Sequence, residues 1–285
     1  IASLLATVRQ HYPLSEDAEI TIEVNPGTVT AEKLEIYRTA GINRLSIGLQ
    51  SADDRELAAI GRIHTWQQFL DTYRLAVGAG FQNINVDIMS TLPGQTMESY
   101  RVTLEKILAL KPQPAHISAY SLILEDGTAF WDMMQRGELA LPDEDADRQM
   151  YSETKRILVE AGYARYEISN YAKPGHECRH NCGYWRREEY VGFGIGAASL
   201  FRERRFRNGD SLTAYLRDPV GCREEIQELS RQEQMEEFMF LGLRMTEGVS
   251  EGEFEAGFGQ KPETVYGEAI QRNLRDGLLE WKGGK

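Results

Sequence analysis

The chain has 285 residues, 41% apolar and 27% charged, enough for one large domain or two ordinary ones with a sizeable core. Its net charge of −12 argues against general binding to nucleic acid or anionic membranes. Three cysteines, Cys178, Cys182 and Cys222, are too few for a disulfide scaffold and fit a reducing, cytoplasmic setting. There is no secretory leader and no apolar run of about eighteen residues, so no membrane-spanning segment is expected. Ile1 falls inside an apparent helix and Lys285 inside a strand-like pattern, so both ends are expected to be cut from a longer protein.

The pattern then alternates. Residues 19–24 read as a strand leading into the turn Asn25-Pro26-Gly27, and residues 31–40 as a helix closing at Gly41. A strand at 44–49 precedes helices at 53–60 and 65–78. A strand at 84–88 and the turn Leu92-Pro93-Gly94 precede a helix at 97–110. A strand at 116–122, helices at 128–136 and 143–161 and a strand at 166–169 complete the series. Such alternation predicts parallel strands with crossover helices, as an open sheet or part of a (β/α) barrel. The rhythm ends near Asn170, and a loop-rich connector follows. Helices are predicted at 233–244, 250–258 and 262–276, with a wing strand starting at 277–279. Residues 231–285 carry seven Lys/Arg against eleven Asp/Glu, so this winged-helix-like module is not expected to bind DNA. The predicted domains are residues 1–170, 171–225 and 226–285.

In parallel α/β folds the chemistry collects at the carboxyl ends of the strands, where the loops converge. Glu23, Gln50, Asp87 and Ser121 occupy such ends, 27, 37 and 34 residues apart. Any one of them reads as a turn or cap residue; four in register point to a site. A carboxylate such as Glu23 can accept two hydrogen bonds from ribose hydroxyls. Arg62 follows Gln50 after a short helix and by itself reads as a solvated arginine.

A second concentration begins after Pro174-Gly175. His176, Cys178, His180 and Cys182 alternate like metal ligands, but on an extended strand residues two apart lie roughly 6.6–7 Å from each other. Four in a row then cannot converge on one zinc, whose ligands lie about 2.0–2.3 Å away. Two could, with partners from elsewhere. His180, Tyr184 and Trp185 together suit a flat conjugated macrocycle, because imidazole ligates iron and aromatic faces stack. Residues 176–208 hold seven arginines against four glutamates, either a solvated hairpin or an anion-recognition patch. His116 and Cys222 are expected to be structural, and His11 and His64 to lie on the surface.

Three runs, Thr21-Ile22-Glu23-Val24-Asn25-Pro26-Gly27, Arg44-Leu45-Ser46-Ile47-Gly48-Leu49-Gln50-Ser51 and Asn85-Val86-Asp87-Ile88-Met89-Ser90-Thr91-Leu92-Pro93-Gly94-Gln95-Thr96, strongly resemble the HemN/HemW branch of radical S-adenosylmethionine proteins. Tyr166-Glu167-Ile168-Ser169-Asn170-Tyr171-Ala172-Lys173-Pro174-Gly175, followed by the H-N-x-x-Y-W pattern from His180 to Trp185, resembles the HemW side, whose members are regarded as haem chaperones. The resemblance implies a partial TIM-like (β/α)₆ barrel with a C-terminal helical domain. It implies that Glu23 holds the ribose of S-adenosylmethionine, that Gln50, Arg62, Asp87 and Ser121 contact the same cofactor, and that His180 engages haem. It further implies delivery of haem to acceptor proteins. The sister activity, oxygen-independent oxidative decarboxylation of coproporphyrinogen III, is the alternative. The family's C-x₃-C-x₂-C ligands for a [4Fe–4S] cluster and its G-G-G-T-P motif do not occur here, and both normally lie upstream of the first helix. This chain alone is therefore expected to carry no cluster and to perform no radical chemistry.

Overall fold

The computed structural model describes residues 1–285, which form two compact units, Ile1–Cys178 and Arg179–Lys285. No helix is long and apolar enough to cross a membrane.

The first unit runs α1 (Ala2–His11), β1 (Thr21–Val24), α2 (Ala31–Thr39), β2 (Arg44–Gln50), α3 (Asp54–Ala59), α4 (Trp66–Gly78), β3 (Asn83–Ser90), α5 (Met97–Leu108), β4 (His116–Ser121), α6 (Ala129–Gln135), α7 (Glu144–Glu160), β5 (Ala164–Arg165) and β6 (Asn170–Ala172). Strands β1 to β4 are parallel neighbours, the right setting for crossover helices. Thr65 with Gln68 and Thr96 with Ser99 form capping boxes that start α4 and α5 on backbone donors otherwise left unbonded.

Residues of the middle strands alternate between two environments. Leu45, Ile47 and Leu49 of β2, Ile84, Val86 and Ile88 of β3 and Ile117 of β4 are buried against Phe69 and Tyr73 of α4 and Tyr100, Leu104 and Ile107 of α5. Each such side chain contributes about 1.5–3 kcal/mol by leaving water. The intervening positions are polar or glycine: Ser46, Gly48 and Gln50; Asn85 and Asp87; His116, Ser118 and Tyr120. By the period of two they share the opposite, inner face of the curved sheet.

The strand expected at 166–169 is instead a turn. β6 runs antiparallel to β4, and β5 antiparallel to β6. The cause is local: the Glu167 carboxylate accepts from Ser169 N–H at 3.1 Å and from the Asn170 amide, which folds the chain back on itself. Ser169 O then accepts from Ala119 N–H at 2.8 Å, joining the turn to β4.

The second unit runs α8 (Arg179–Trp185), β7 (Ala198–Phe201), β8 (Arg204–Asn208), α9 (Leu212–Arg217), β9 (Arg223–Glu228), α10 (Arg231–Gly242), α11 (Glu251–Phe258) and α12 (Pro262–Arg275). β7, β8 and β9 make an antiparallel sheet, in which Arg202 and Glu203 turn the first hairpin with φ of 52° and 57°. Met235, Phe254 and Phe258, with Phe238 and Tyr266, form the core of the C-terminal helices. The wing strand expected at 277–279 does not form. Gly277 enters the left-handed region at φ 70°, and Leu278 and Leu279 N–H both return to Asn273 O, closing the end of α12.

Candidate functional site

The carboxyl ends of β1 to β3 bring together four of the expected residues. Glu23 is exposed on β1, level with Ser46 of β2. Gln50 is buried and left-handed at φ 71°, where the β2–β3 register slips between Gly48 and Gln50. A non-glycine residue in that region costs roughly 1–3 kcal/mol and survives where surroundings over-determine it. Here Gly48 provides the space, since a Cβ at that position would lie 3.0 Å from Gln50 Nε2. The Tyr120 hydroxyl donates to Gln50 Oε1 at 3.2 Å, and burial raises its pKa to about 12, so it stays a donor. Arg62 Nη1 donates to Asn25 Oδ1 at 3.2 Å, tethering the loop before α4 to the turn after β1.

Asp87 sits deeper. Its Oδ2 accepts from Ser46 Oγ at 2.9 Å and its Oδ1 from Asn85 Nδ2 at 2.8 Å. Burial raises its carboxyl above the ordinary range; the hydrogen bonds and the Arg44 charge oppose that shift. Ser121 belongs to the other face. Its hydroxyl donates to Asp147 Oδ1 of α7 at 2.6 Å and accepts from Ser90 Oγ at 3.2 Å.

One histidine expectation needs correction, and the structural role expected of His116 gains its partners. His64 is buried at 4% exposure, not on the surface; its Nε2 lies 3.1 Å from Leu49 O, and burial lowers its pKa. Although the sequence offers no partner for His116, the structure gives it two: Nδ1 lies 2.6 Å from Asn85 Oδ1 and Nε2 2.8 Å from the Tyr166 hydroxyl. Asn25, Ser46, Asn85, Tyr120 and Tyr166 complete this inner face and escaped the sequence reading. For Ser46, Asn85 and Tyr120 the signal was present as polar residues at every second position of otherwise apolar strands, whereas Asn25 and Tyr166 lie in turns outside that pattern.

In the second unit the H-N-x-x-Y-W residues form the helix α8 rather than a loop. Helical spacing puts His180 and Tyr184 on one face, and their rings meet edge to face at 4.6 Å. Tyr184 meets Tyr190 in the same way at 4.6 Å. His180 is exposed at the end of this ladder. Trp185 points elsewhere, with the Arg244 guanidinium over its ring at 4.2 Å. No group of three or more His, Cys, Asp or Glu side chains is arranged to hold a metal ion.

Most arginines of the 176–208 segment have acidic neighbours within the unit. Arg187 pairs with Glu203 and with Glu237 at 3.0 Å, and Arg205 with Glu237 at 2.5 Å. Arg186 meets Glu247 at 3.0 Å, Arg204 meets Glu228 at 3.7 Å, and Arg207 pairs with Asp210. Of the two readings of this segment, the mixed-charge hairpin accounts for these five.

A stretch of each unit matches a known family. Residues 1–107 match the radical SAM superfamily, and residues 229–285 match the HemN C-terminal domain. The heme chaperone HemW of Lactococcus lactis is 40% identical over 97% of this chain and 73% of its own length. That of Bacillus subtilis is 37% identical over 94% and 71%. The solved coproporphyrinogen III oxidase HemN of Escherichia coli superposes with a TM-score of 0.80 over 99% of this chain and 69% of that one, at 21% identity, a likeness of fold. Extensive identity to two HemW proteins, set on the mixed, mostly parallel sheet of HemN, makes this chain a member of the HemW family within the radical S-adenosylmethionine superfamily.

Proposed function

We propose that the chain binds haem at α8 and hands it to haem-accepting proteins, and that the strand-end residues of the first unit bind S-adenosylmethionine. The observation that carries the haem reading is the exposed His180 imidazole, held at the end of the Tyr184–Tyr190 ladder. Neutral imidazole is a haem-iron ligand, and a ring at the surface can accept and release a cargo without opening a core. Tyr184 fixes the imidazole's orientation, while Trp185, under Arg244, anchors the helix. The relatives at 37–40% identity bear the chaperone name, whereas the decarboxylating HemN shares 21% identity, which favours chaperone over oxidase.

The strand-end set fits S-adenosylmethionine: the Glu23 carboxylate for ribose hydroxyls, Gln50 and Arg62 at the rim, and Asp87 on the inner face. Ser121, committed to Asp147, supports the β4 end rather than lining it. When bound, the cofactor supplies an electrophilic sulfonium. The three cysteines do not fit a [4Fe–4S] cluster, because no C-x₃-C-x₂-C spacing links them. No radical step is assigned to these residues.

The test is a haem titration. The unsubstituted chain should give a Soret band that shifts on binding, and His180→Ala should weaken binding by about tenfold or more and alter that band. An identical titration and spectrum for the variant would remove His180 from the site.

A further inference from the structure

Beneath the strand-end site lies one continuous chain of hydrogen bonds whose direction is fixed by its donors and acceptors. The Asp87 carboxylate takes Ser46 Oγ at 2.9 Å and Asn85 Nδ2 at 2.8 Å, and the same Nδ2 donates to Ser46 Oγ at 2.8 Å. Both amide hydrogens of Asn85 are thereby used, so Oδ1 faces away from Asp87. That oxygen can only accept, and His116 Nδ1 lies 2.6 Å from it; Nδ1 therefore carries the proton. Burial, with the charges of Arg44 and His176, lowers the His116 pKa well below the ordinary value, so Nε2 is a bare acceptor. The Tyr166 hydroxyl donates to it at 2.8 Å and itself accepts from Cys178 N–H at 3.2 Å. Ser118 Oγ donates to Asn170 Oδ1 at 2.6 Å, holding the neighbouring position of β4.

We propose that His116 is a positioning residue of the S-adenosylmethionine site: its Nδ1–H fixes the Asn85 amide, and that amide fixes the Asp87 carboxylate that faces the ligand. The proposal rests on the reading of the strand ends as an S-adenosylmethionine site. Its physical content is orientational. Without a donor at Nδ1 the Asn85 oxygen keeps only the Ser118 hydroxyl, at 3.2 Å and shared with Asn170, so the amide is held less firmly against the flipped orientation that would set its oxygen against the Asp87 carboxylate. His116 is completely buried and the ligand-facing carboxylate is two hydrogen bonds away, so His116 acts only through Asn85.

The experiment measures S-adenosylmethionine binding to the full chain by calorimetry for wild type, His116→Asn, His116→Gln and Tyr166→Phe. Imidazole ¹⁵N spectra report the ring tautomer. Asn can place an N–H where Nδ1 was, whereas Gln replaces only the Nε2 end. His116→Asn is expected to stay within about threefold of wild type, and His116→Gln to lose about tenfold or more, the scale of one misdirected buried hydrogen bond. Tyr166→Phe keeps the ring and its packing but frees Nε2; it should admit the Nε2–H tautomer and weaken binding by about threefold. The wild-type ring should be neutral and protonated on Nδ1.

Equal losses in His116→Asn and His116→Gln, no loss in either, or an Nε2–H ring in the wild type overturn the positioning role while leaving the site reading intact. A wild-type chain that binds no S-adenosylmethionine overturns the site reading and the proposal with it. If His116→Gln fails to fold, Tyr166→Phe decides: a changed tautomer with unchanged affinity rejects the role.

Discussion

The inner face of the first unit and the α8 region of the second are both polar and both hold a histidine, yet they are built in opposite ways. His116 is completely buried and hydrogen-bonded at both ring nitrogens, one to Asn85 and one to Tyr166. His180 is exposed and oriented by aromatic edges. Buried, fully satisfied networks hold groups to a fixed geometry, as a small cofactor needs; exposed ones exchange their ligands cheaply. On the proposed reading, the difference suits a cofactor that stays and a cargo that leaves. Charge follows the same logic: the buried ionic element of the second unit is Glu237, set between Arg187 and Arg205 beside α8, where it braces rather than binds.

The sharpest way to break this comparison is to remove that brace. Glu237→Ala leaves the largely buried Arg187 without one of its two carboxylates. Breaking a buried pair on one side costs about 3–5 kcal/mol, with the lower end expected because Glu203 remains. Urea unfolding of the variant should show a much lower midpoint for the second unit, with S-adenosylmethionine binding to the first retained. A midpoint shift equivalent to less than about 1 kcal/mol would show that Glu237 is not what orders α8.

The buried histidines give the next effect, through pH. His116 and His64 both have folded pKa values lowered by burial. Below about pH 6.5 the unfolded chain takes up protons that the folded chain refuses until its depressed values are reached. Stability should therefore fall as pH drops through that window, by about 1.36 kcal/mol per pH unit for each histidine. The charged and titratable groups acting on His116 are Arg44 on β2, His176 and the Tyr166 hydroxyl. Asp87, whose pKa is raised, opposes the trend at lower pH, because protonation favours its folded form. His116→Asn should flatten the slope by about one proton's share. An unchanged slope would mean that His116 is charged in the folded state.

Gln50→Gly tests preorganisation itself. Glycine tolerates φ near 71°, relieving backbone strain while losing the bond from Tyr120. Stability should change by less than about 1 kcal/mol as the two offset, while S-adenosylmethionine affinity falls by about tenfold. A fall in stability with unchanged affinity would make Gln50 a packing residue.

Much of the first unit was legible because its signals are local. The strand–helix rhythm and the turns and caps at Pro26-Gly27, Gly41 and Pro93-Gly94 located β1 to β4 and the helices between them, and the strand-end rule singled out Glu23, Gln50, Asp87 and Ser121, of which Ser121 turns to the other face and Asp147. What was hidden depends on pairing across the sheet. Whether Tyr166 enters a parallel strand or a turn is decided by the Glu167 carboxylate reaching Ser169 and Asn170, which hydrophobic pattern does not encode. His116 looked structural because its partners lie 31 and 50 residues away, at Asn85 and Tyr166. In the second unit, helical propensity is poor through His180-Asn181-Cys182-Gly183, and the extended-strand geometry used to weigh the zinc reading does not apply to the helix that forms. The arginines showed their number in sequence but not their pairing, since Glu228, Glu237 and Glu247 come from later elements.

That pairing yields the smallest expected effect, and a discriminating one. Arg204 and Glu228 lie 3.7 Å apart with side chains 52% and 81% exposed, so solvent screens the pair. Arg204→Gln should change stability by no more than about 0.5 kcal/mol. If the segment is a mixed-charge hairpin, the same variant should leave haem affinity within about twofold of wild type at physiological salt, where screening acts over about 8 Å. If it is an anion-recognition patch, Arg204→Gln should weaken haem measurably more than the propionate diester, whose carboxylates are masked. Equal titrations with both ligands would assign recognition to the His180 ladder and the macrocycle face, and the arginines to the architecture that carries it.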